Sequence, residues 1–305
     1  MEKSLIPKTM IKLNTSRILT PVDFSSTSTK AIGYAASLAQ LNKGELFLLY
    51  VRQKKSFLNF PYTTSDLREI TKESENYKKL IESTAKEIRN KYSIPVKVII
   101  GLGGRISEII KIAEKKQVGL IVMGTNGSDS VSSLFSGSNS HRVVSKSQIP
   151  VLTIRNDSKK SHFSNILLPI DLSEHTRQKV NVAIQVAKMN TAKIHLLGVS
   201  DSDETSDQLK LGLIMRQVSK RIKEEDIEVS SELVKSDNFA GKTLSNAKKS
   251  KADIIITMTD QNNGTGFLAR NYDRELVDES SIPVLSIPPE IHEENIAPSS
   301  IGGLW

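Results

Sequence analysis

Short apolar runs separated by amphipathic stretches set the pattern of the first half of this chain. Strands are predicted at Arg17 to Val22, Glu45 to Val51, Val96 to Gly101, Gly119 to Gly124 and Val151 to Ile154. Between the first two, Thr27 to Leu41 places Ala31, Tyr34, Ala35, Leu38 and Ala39 at the i, i+3, i+4 spacing of one helix face. A longer helix is predicted from about Ser65 to Tyr92, with Leu67, Ile70, Tyr77, Ile81 and Ile88 inward. Ser107 to Lys116 supplies a third helix, and a fourth follows Gly137, with Val143 and Val144 facing the sheet. Strands that alternate with helices imply right-handed parallel crossovers. The expected fold class is therefore α/β, an open doubly wound sheet whose ligand crevice lies at the carboxyl ends of the strands.

The pattern then repeats. Arg17-Ile18-Leu19-Thr20-Pro21-Val22-Asp23-Phe24-Ser25 returns as Asn165-Ile166-Leu167-Leu168-Pro169-Ile170-Asp171-Leu172-Ser173. Ile149-Pro150-Val151-Leu152-Thr153-Ile154 returns as Ile282-Pro283-Val284-Leu285-Ser286-Ile287. A duplication that preserves both ends of the unit predicts two domains, residues 1–157 and 165–290. The polar stretch from about Arg155 to Ser164 is the expected linker, Met1 to Ser16 a short leader and 291–305 a tail. The two terminal strands, Val151 to Ile154 and Val284 to Ile287, are short and apolar, so they are expected to pair as an intrachain pseudo-dimer.

Composition narrows the chemistry. A length of 305 residues suits two ordinary cores. Absence of cysteine excludes a disulfide framework, thiolate metal sites and thiol nucleophiles. No run reaches the ~18 apolar residues of a membrane span, and the N-terminus lacks the apolar core of a signal peptide, so a cytoplasmic protein with no membrane contact is expected. The net charge of +8 is scattered among acidic neighbours, as in Lys223-Glu224-Glu225-Asp226, without a basic stripe or aromatic platform. Nucleic-acid binding is not expected from such a surface.

The sharpest local signal is Gly124-Thr125-Asn126-Gly127 followed by Gly137-Ser138-Asn139-Ser140. It begins as a strand ends and finishes as a helix begins. Glycines there permit close backbone approach to a ligand, and the free N–H groups of the helix start favour an anion such as phosphate. By themselves, glycines that only form turns and a serine that only caps a helix would leave the same trace. In context, the G-x2-G-x9-G-S spacing, together with Pro21-Val22-Asp23-Phe24-Ser25, resembles the universal stress protein family, and the likeness covers nearly the whole chain as two copies.

The resemblance implies two tandem Rossmann-like domains of the adenine nucleotide alpha-hydrolase-like type, each a mostly parallel five-stranded sheet with helices on both faces. It also implies an ATP site in the first domain. Mg²⁺ carried by the phosphates is expected with it, since that ion commonly relies on ligand oxygens and water. Pro21, Val22 and Asp23 would lie in the first turn, Asp23 by the ribose or base, and Val51 would meet adenine through its backbone. Met123 and Gly124 would border the ribose side, with Gly127, Gly137, Ser138 and Asn139 around the phosphates. From the residues alone, Asp23 serves equally as a helix cap or turn residue, a role that its repeat Asp171 favours. A homodimer and an unidentified protein partner are further expectations.

The second half departs from the motif. Its strand Ala252 to Thr257 runs into Met258-Thr259-Asp260, and Arg270 stands at the position of Gly137, where a side chain would fill the phosphate space. Asp273 and Glu275 make the following helix start acidic, so a degenerate second site is predicted. The five histidines show no metal-ligand spacing, and no Walker loop or nucleophile elbow occurs. No catalytic residue stands out, which leaves at most slow ATP hydrolysis. The expected function is an ATP-binding stress-response or signalling protein whose nucleotide sets conformation or partner choice. An adenylating enzyme and an interaction module with vestigial pockets are the alternatives.

Overall fold

A computed structural model of the chain describes residues 11–52, 64–125, 137–155, 162–259 and 272–290. The first half runs β1 Arg17–Pro21, α1 Ser26–Leu41, β2 Glu45–Arg52, α2 Thr64–Tyr92, β3 Val96–Leu102, α3 Arg105–Lys115, β4 Leu120–Gly124, α4 Gly137–Lys146 and β5 Val151–Ile154. The second runs β6 Asn165–Ile170, α5 Val180–Asn190, β7 Lys193–Ser200, α6 Thr205–Lys223, β8 Val229–Lys235, α7 Phe239–Lys249, β9 Ile254–Met258, α8 Tyr272–Glu279 and β10 Val284–Ile287. A 3₁₀ turn, Glu174–Arg177, precedes α5.

Each half forms a parallel five-stranded sheet, ordered β3-β2-β1-β4-β5 and β8-β7-β6-β9-β10. Strands buried on both faces explain the near-continuous aliphatic runs. Along β1 and β2, Ile18, Leu46 and Leu48 pack on the α1 side, while Leu19, Phe47 and Leu49 pack with Ile109 and Val143 on the other. Opposite faces of one strand thus fill two separate cores.

The two terminal strands pair antiparallel, with Leu285 opposite Leu152 and Ser286 opposite Val151, so the halves share one ten-stranded sheet. Pairing satisfies backbone groups that either edge alone would leave to solvent. Thr153 adds a bond from Oγ1 to the Val284 carbonyl at 3.2 Å, and Arg155 donates to the Asp278 carbonyl at 2.9 Å. On the α1 and α5 side, a single apolar core runs across the seam.

The stretch before β1 differs from a simple leader. Ile11 and Leu13 are buried, and the Leu13 backbone exchanges two bonds with the Gln185 amide on α5 of the other half, at 3.0 and 2.6 Å. Reciprocally, Phe163, just before β6, stacks on Tyr34 of α1 with ring centroids 6.2 Å apart. Each half is therefore clasped by the lead-in of the other. Gln185→Ala should cost about 1–3 kcal/mol, because it leaves two backbone groups without partners. Urea denaturation checks this, together with faster proteolysis ahead of β1.

Candidate functional site

The strand order reverses between β1 and β4, and an open α/β sheet has its ligand crevice at such a reversal. Past Pro21, the Val22 N–H still bonds the Leu49 carbonyl at 2.8 Å, and then the chain turns sharply. Phe24 takes a φ of 63°, in the left-handed region that an aromatic residue rarely occupies. Its ring lies 5.8 Å from those of Tyr50 and Tyr77, which are 4.7 Å from each other. This stack holds the strained turn.

The turn gives Asp23 two different oxygens. Oδ1 accepts from the Ser25 N–H at 3.0 Å and from the Ser25 hydroxyl at 2.6 Å, while Ser25 caps α1 by accepting from the Ser28 N–H at 3.2 Å. Oδ2 is buried and has no hydrogen-bond partner among the described residues. An unpaired buried oxygen is costly, so a ligand hydroxyl or amine there would be stabilised. The turn role and the ligand role are thus divided between two atoms of one carboxylate.

Beside this turn, the alternation of strand β2 matters. The Leu49 carbonyl faces β1, and the Arg52 carbonyl faces the β3 side, where it accepts from Gly103 at 3.0 Å. Val51 therefore turns its N–H and C=O toward the side on which β1 has already ended. Adenine recognition through a backbone needs a pair of groups so placed.

On the other side of the reversal, β4 ends at Gly124. A Cβ on Gly124 would lie 2.8 Å from the Thr27 carbonyl carbon, so the glycine is what lets the start of α1 lie against β4. Its carbonyl accepts from the buried Ser140 hydroxyl at 3.1 Å, which ties the first turn of α4 to the strand end. Gly137 opens α4 and Ser138 follows it. Asn139 is half-buried in the same turn. The Met123 side chain is buried in the core with Ile121 and Val143, so only its backbone can border a ligand. Gly127 lies outside the described residues.

Pro21, Val22, Asp23, Val51, Gly124 and the start of α4 therefore converge on one crevice. Sequence reasoning missed Thr125, whose buried Oγ1 also has no partner among the described residues. It missed the Phe24, Tyr50 and Tyr77 stack as well, since Tyr77 lies on α2, far along the chain from the other two. His141 of α4 sits where that helix packs on α8. Burial pushes its imidazole below the ordinary range, and its charged neighbours are Asp278 and Arg274 of α8, across the seam.

The corresponding region of the second half carries different side chains among the described residues. Asp171 repeats the turn, with Oδ1 accepting from the Ser173 N–H at 2.8 Å. Strand pairing, however, sets Gly124 opposite Ile154 and Met258 opposite Ile287, so the counterpart of Gly124 is Met258. A side chain at that point excludes the close approach seen in the first half. The equivalent of the first turns of α1 is a 3₁₀ turn, and α5 begins only at Val180.

Where the first half has Ala31, the second has Lys179, which is buried with its Nζ 3.2 Å from the Thr176 hydroxyl. Burial pushes this ammonium down to about 8, against the pull of Asp171 and Asp273. Tyr272, the counterpart of Asn139, sends its hydroxyl to within 3.3 Å of Thr243 Oγ1, and burial raises the phenol above its usual range. Arg270, the blocking residue expected from the sequence, lies outside the described residues.

Comparison with known proteins agrees with the architecture. The model of the universal stress protein family matches residues 14–155 and again 162–288. Universal stress protein MJ0577 of Methanocaldococcus jannaschii is 30% identical over 153 residues, which is 46% of this chain and 94% of that protein. Universal stress protein YxiE of Bacillus subtilis is 30% identical over 146 residues, 46% of this chain and 99% of its own length. The crystal structure of a universal stress protein from Archaeoglobus fulgidus superposes with a TM-score of 0.71 at 21% identity, covering 91% of this chain and 97% of that one. Two matches that together span most of the sequence establish that this chain belongs to the universal stress protein family, with the family's unit present twice.

Proposed function

We propose that the first half binds one ATP and that the second half binds none, so that the protein acts as a nucleotide-responsive stress or signalling component in the cytoplasm. The observation that carries this reading is the buried, unpartnered Oδ2 of Asp23 at the reversal between β1 and β4. A ribose hydroxyl or adenine amine would satisfy it. In this reading Val51 meets adenine through its backbone, Met123 and Gly124 border the ribose, and Gly127, Gly137, Ser138 and Asn139 surround the phosphates. The N-terminus of α4 favours the anion. Mg²⁺ would ride on the phosphate oxygens, since among the described residues no group of three or more His, Asp or Glu side chains could hold a metal. No helix among the described residues is long and apolar enough to cross a membrane.

The units we assign are residues 1–157, with the working site, and 165–290, with the degenerate one, followed by a tail at 291–305. Without a positioned base or a loop lysine, the nucleotide serves to set conformation or the choice of a partner rather than rapid turnover.

Calorimetry tests the reading directly. The unmodified protein should take up about one ATP per chain, held at the N-terminus of α4. Gly137→Arg should take up none, and Arg270→Gly should not create a second strong site while Lys179 and Tyr272 remain. Mass spectrometry of small molecules released on denaturation should find an adenine nucleotide. Two equivalent ATP per chain, or full affinity in Gly137→Arg, would overturn the assignment.

A further inference from the structure

A second groove lies at the far edge of the sheet, remote in the strand order from the crevice between β1 and β4. An open groove of about 790 Å³ runs between α6 and β8, floored by Met215, Ser231 and Leu233 and walled by Arg216, Lys220, Lys223 and Glu224. At Gly212 there is no heavy atom within 4 Å of where a Cβ would stand, so the groove is open beside the helix.

The charges in it are selected. Around the groove, Lys188 and Arg221 pair with Glu225, Lys210 with Asp207, Lys235 with Asp203 and Lys249 with Glu232. Arg216, Lys220 and Lys223 are exposed and have no such partner among the described residues. Three cations without an ion-pair partner, against the one carboxylate Glu224, leave a net positive potential in this groove. Leu209, Leu213 and Leu233 are 64%, 55% and 45% exposed, so an apolar ridge accompanies the charge.

Backbone geometry supplies the other half of the argument. β8 is the last strand of the sheet. The Glu228 carbonyl accepts from the Ile194 N–H of β7, and the Ser236 N–H donates to the Ser200 carbonyl. By alternation, the N–H and C=O groups of Ser231 and Leu233 point to the free edge. The residues that floor the groove thus also present unpaired backbone groups beside it.

We propose that this edge takes up an extended acidic segment of a partner protein as an added strand next to β8. Backbone bonds to Ser231 and Leu233 would hold the segment. Its side chains on the α6 face would be carboxylates meeting Arg216, Lys220 and Lys223, with apolar contact to Leu233. A lipid surface fits less well because the cations line a concave groove. A nucleic acid fits less well because no aromatic side chain lines it.

The probe is a fluorescein-labelled synthetic peptide of alternating Glu and Val, titrated by anisotropy against the full chain. Saturable binding that weakens at raised salt is expected, with protection of the Ser231 and Leu233 amides in hydrogen exchange. The triple variant Arg216→Ala, Lys220→Ala, Lys223→Ala should bind at least about tenfold more weakly. Gly212→Trp, placed in open space, should block the groove without disturbing the core. The same peptide with Lys in place of Glu should not bind. Absence of binding, undiminished binding in both variants, or no protection of the β8 amides would overturn the proposal. So would preferential binding of single-stranded RNA or of phosphatidylglycerol vesicles to the same groove.

Discussion

Gly124→Met is expected to abolish ATP binding and to lower stability by about 1–3 kcal/mol, the usual cost of overfilling a packed site. The new side chain would meet the Thr27 carbonyl carbon, 2.8 Å from the Cβ position, in a place where backbone rather than a flexible side chain must give way. The start of α1 would be displaced, and with it the Ser25 cap and the turn that buries Asp23 Oδ2. Met258 already stands at this point in the second half, where the helix begins late. Isothermal titration with ATP and urea denaturation read the two effects separately. A variant that keeps full affinity would show that the α1 contact does not shape the crevice. Met258→Gly, by contrast, should not open a second site, because Lys179 and Tyr272 remain.

The second large effect concerns Lys179. Its folded ammonium is held at about 8, below the value of 10.5 of an exposed lysine, so between those pH values the unfolded chain binds the extra proton. Stability should therefore rise as pH climbs from about 8 toward 10, by up to about 3 kcal/mol at 1.36 kcal/mol per unit. Above that range the trend reverses. Tyr34 is pushed up to about 12 and Tyr272 is raised as well, so their phenols ionise first in the unfolded chain and stability is lost.

Lys179→Met should remove the rise below pH 10 and be at least as stable as the unmodified protein at neutral pH. The reason is that burial outweighs the pull of Asp171 and Asp273 on the ammonium. Denaturant midpoints measured across pH decide the matter. A loss of several kcal/mol at neutral pH would show instead that the lysine is needed to neutralise the two carboxylates.

Much of this architecture was legible in the sequence, because strand and helix periodicity are local and a duplication displays itself twice. The helix face of Ala31, Tyr34, Ala35, Leu38 and Ala39 is buried as its spacing requires. The motif residues around Asp23, Gly124 and Gly137 could be named because glycine and a strand-end carboxylate carry backbone and hydrogen-bonding requirements in their own chemistry. Which residue of the second half stands where Gly124 does was not legible, since apolar strands slide past one another without penalty in a one-dimensional comparison. The ladder, with its fixed partners at Ile154 and Ile287, identifies it as Met258.

By itself, then, the sequence determined the fold class, the repeat and the neighbourhood of the site, all of which follow from periodicity and from what each residue type permits its own backbone to do. Tertiary structure alone decided which oxygen of Asp23 lacks a partner, that Lys179 and Tyr272 lie beside the Asp171 turn, and that the lead-in of each half clasps the other. Those outcomes depend on which atoms meet across strands and helices far apart in the chain, where burial changes the cost of a charge and hydrogen-bond partners are assigned in three dimensions.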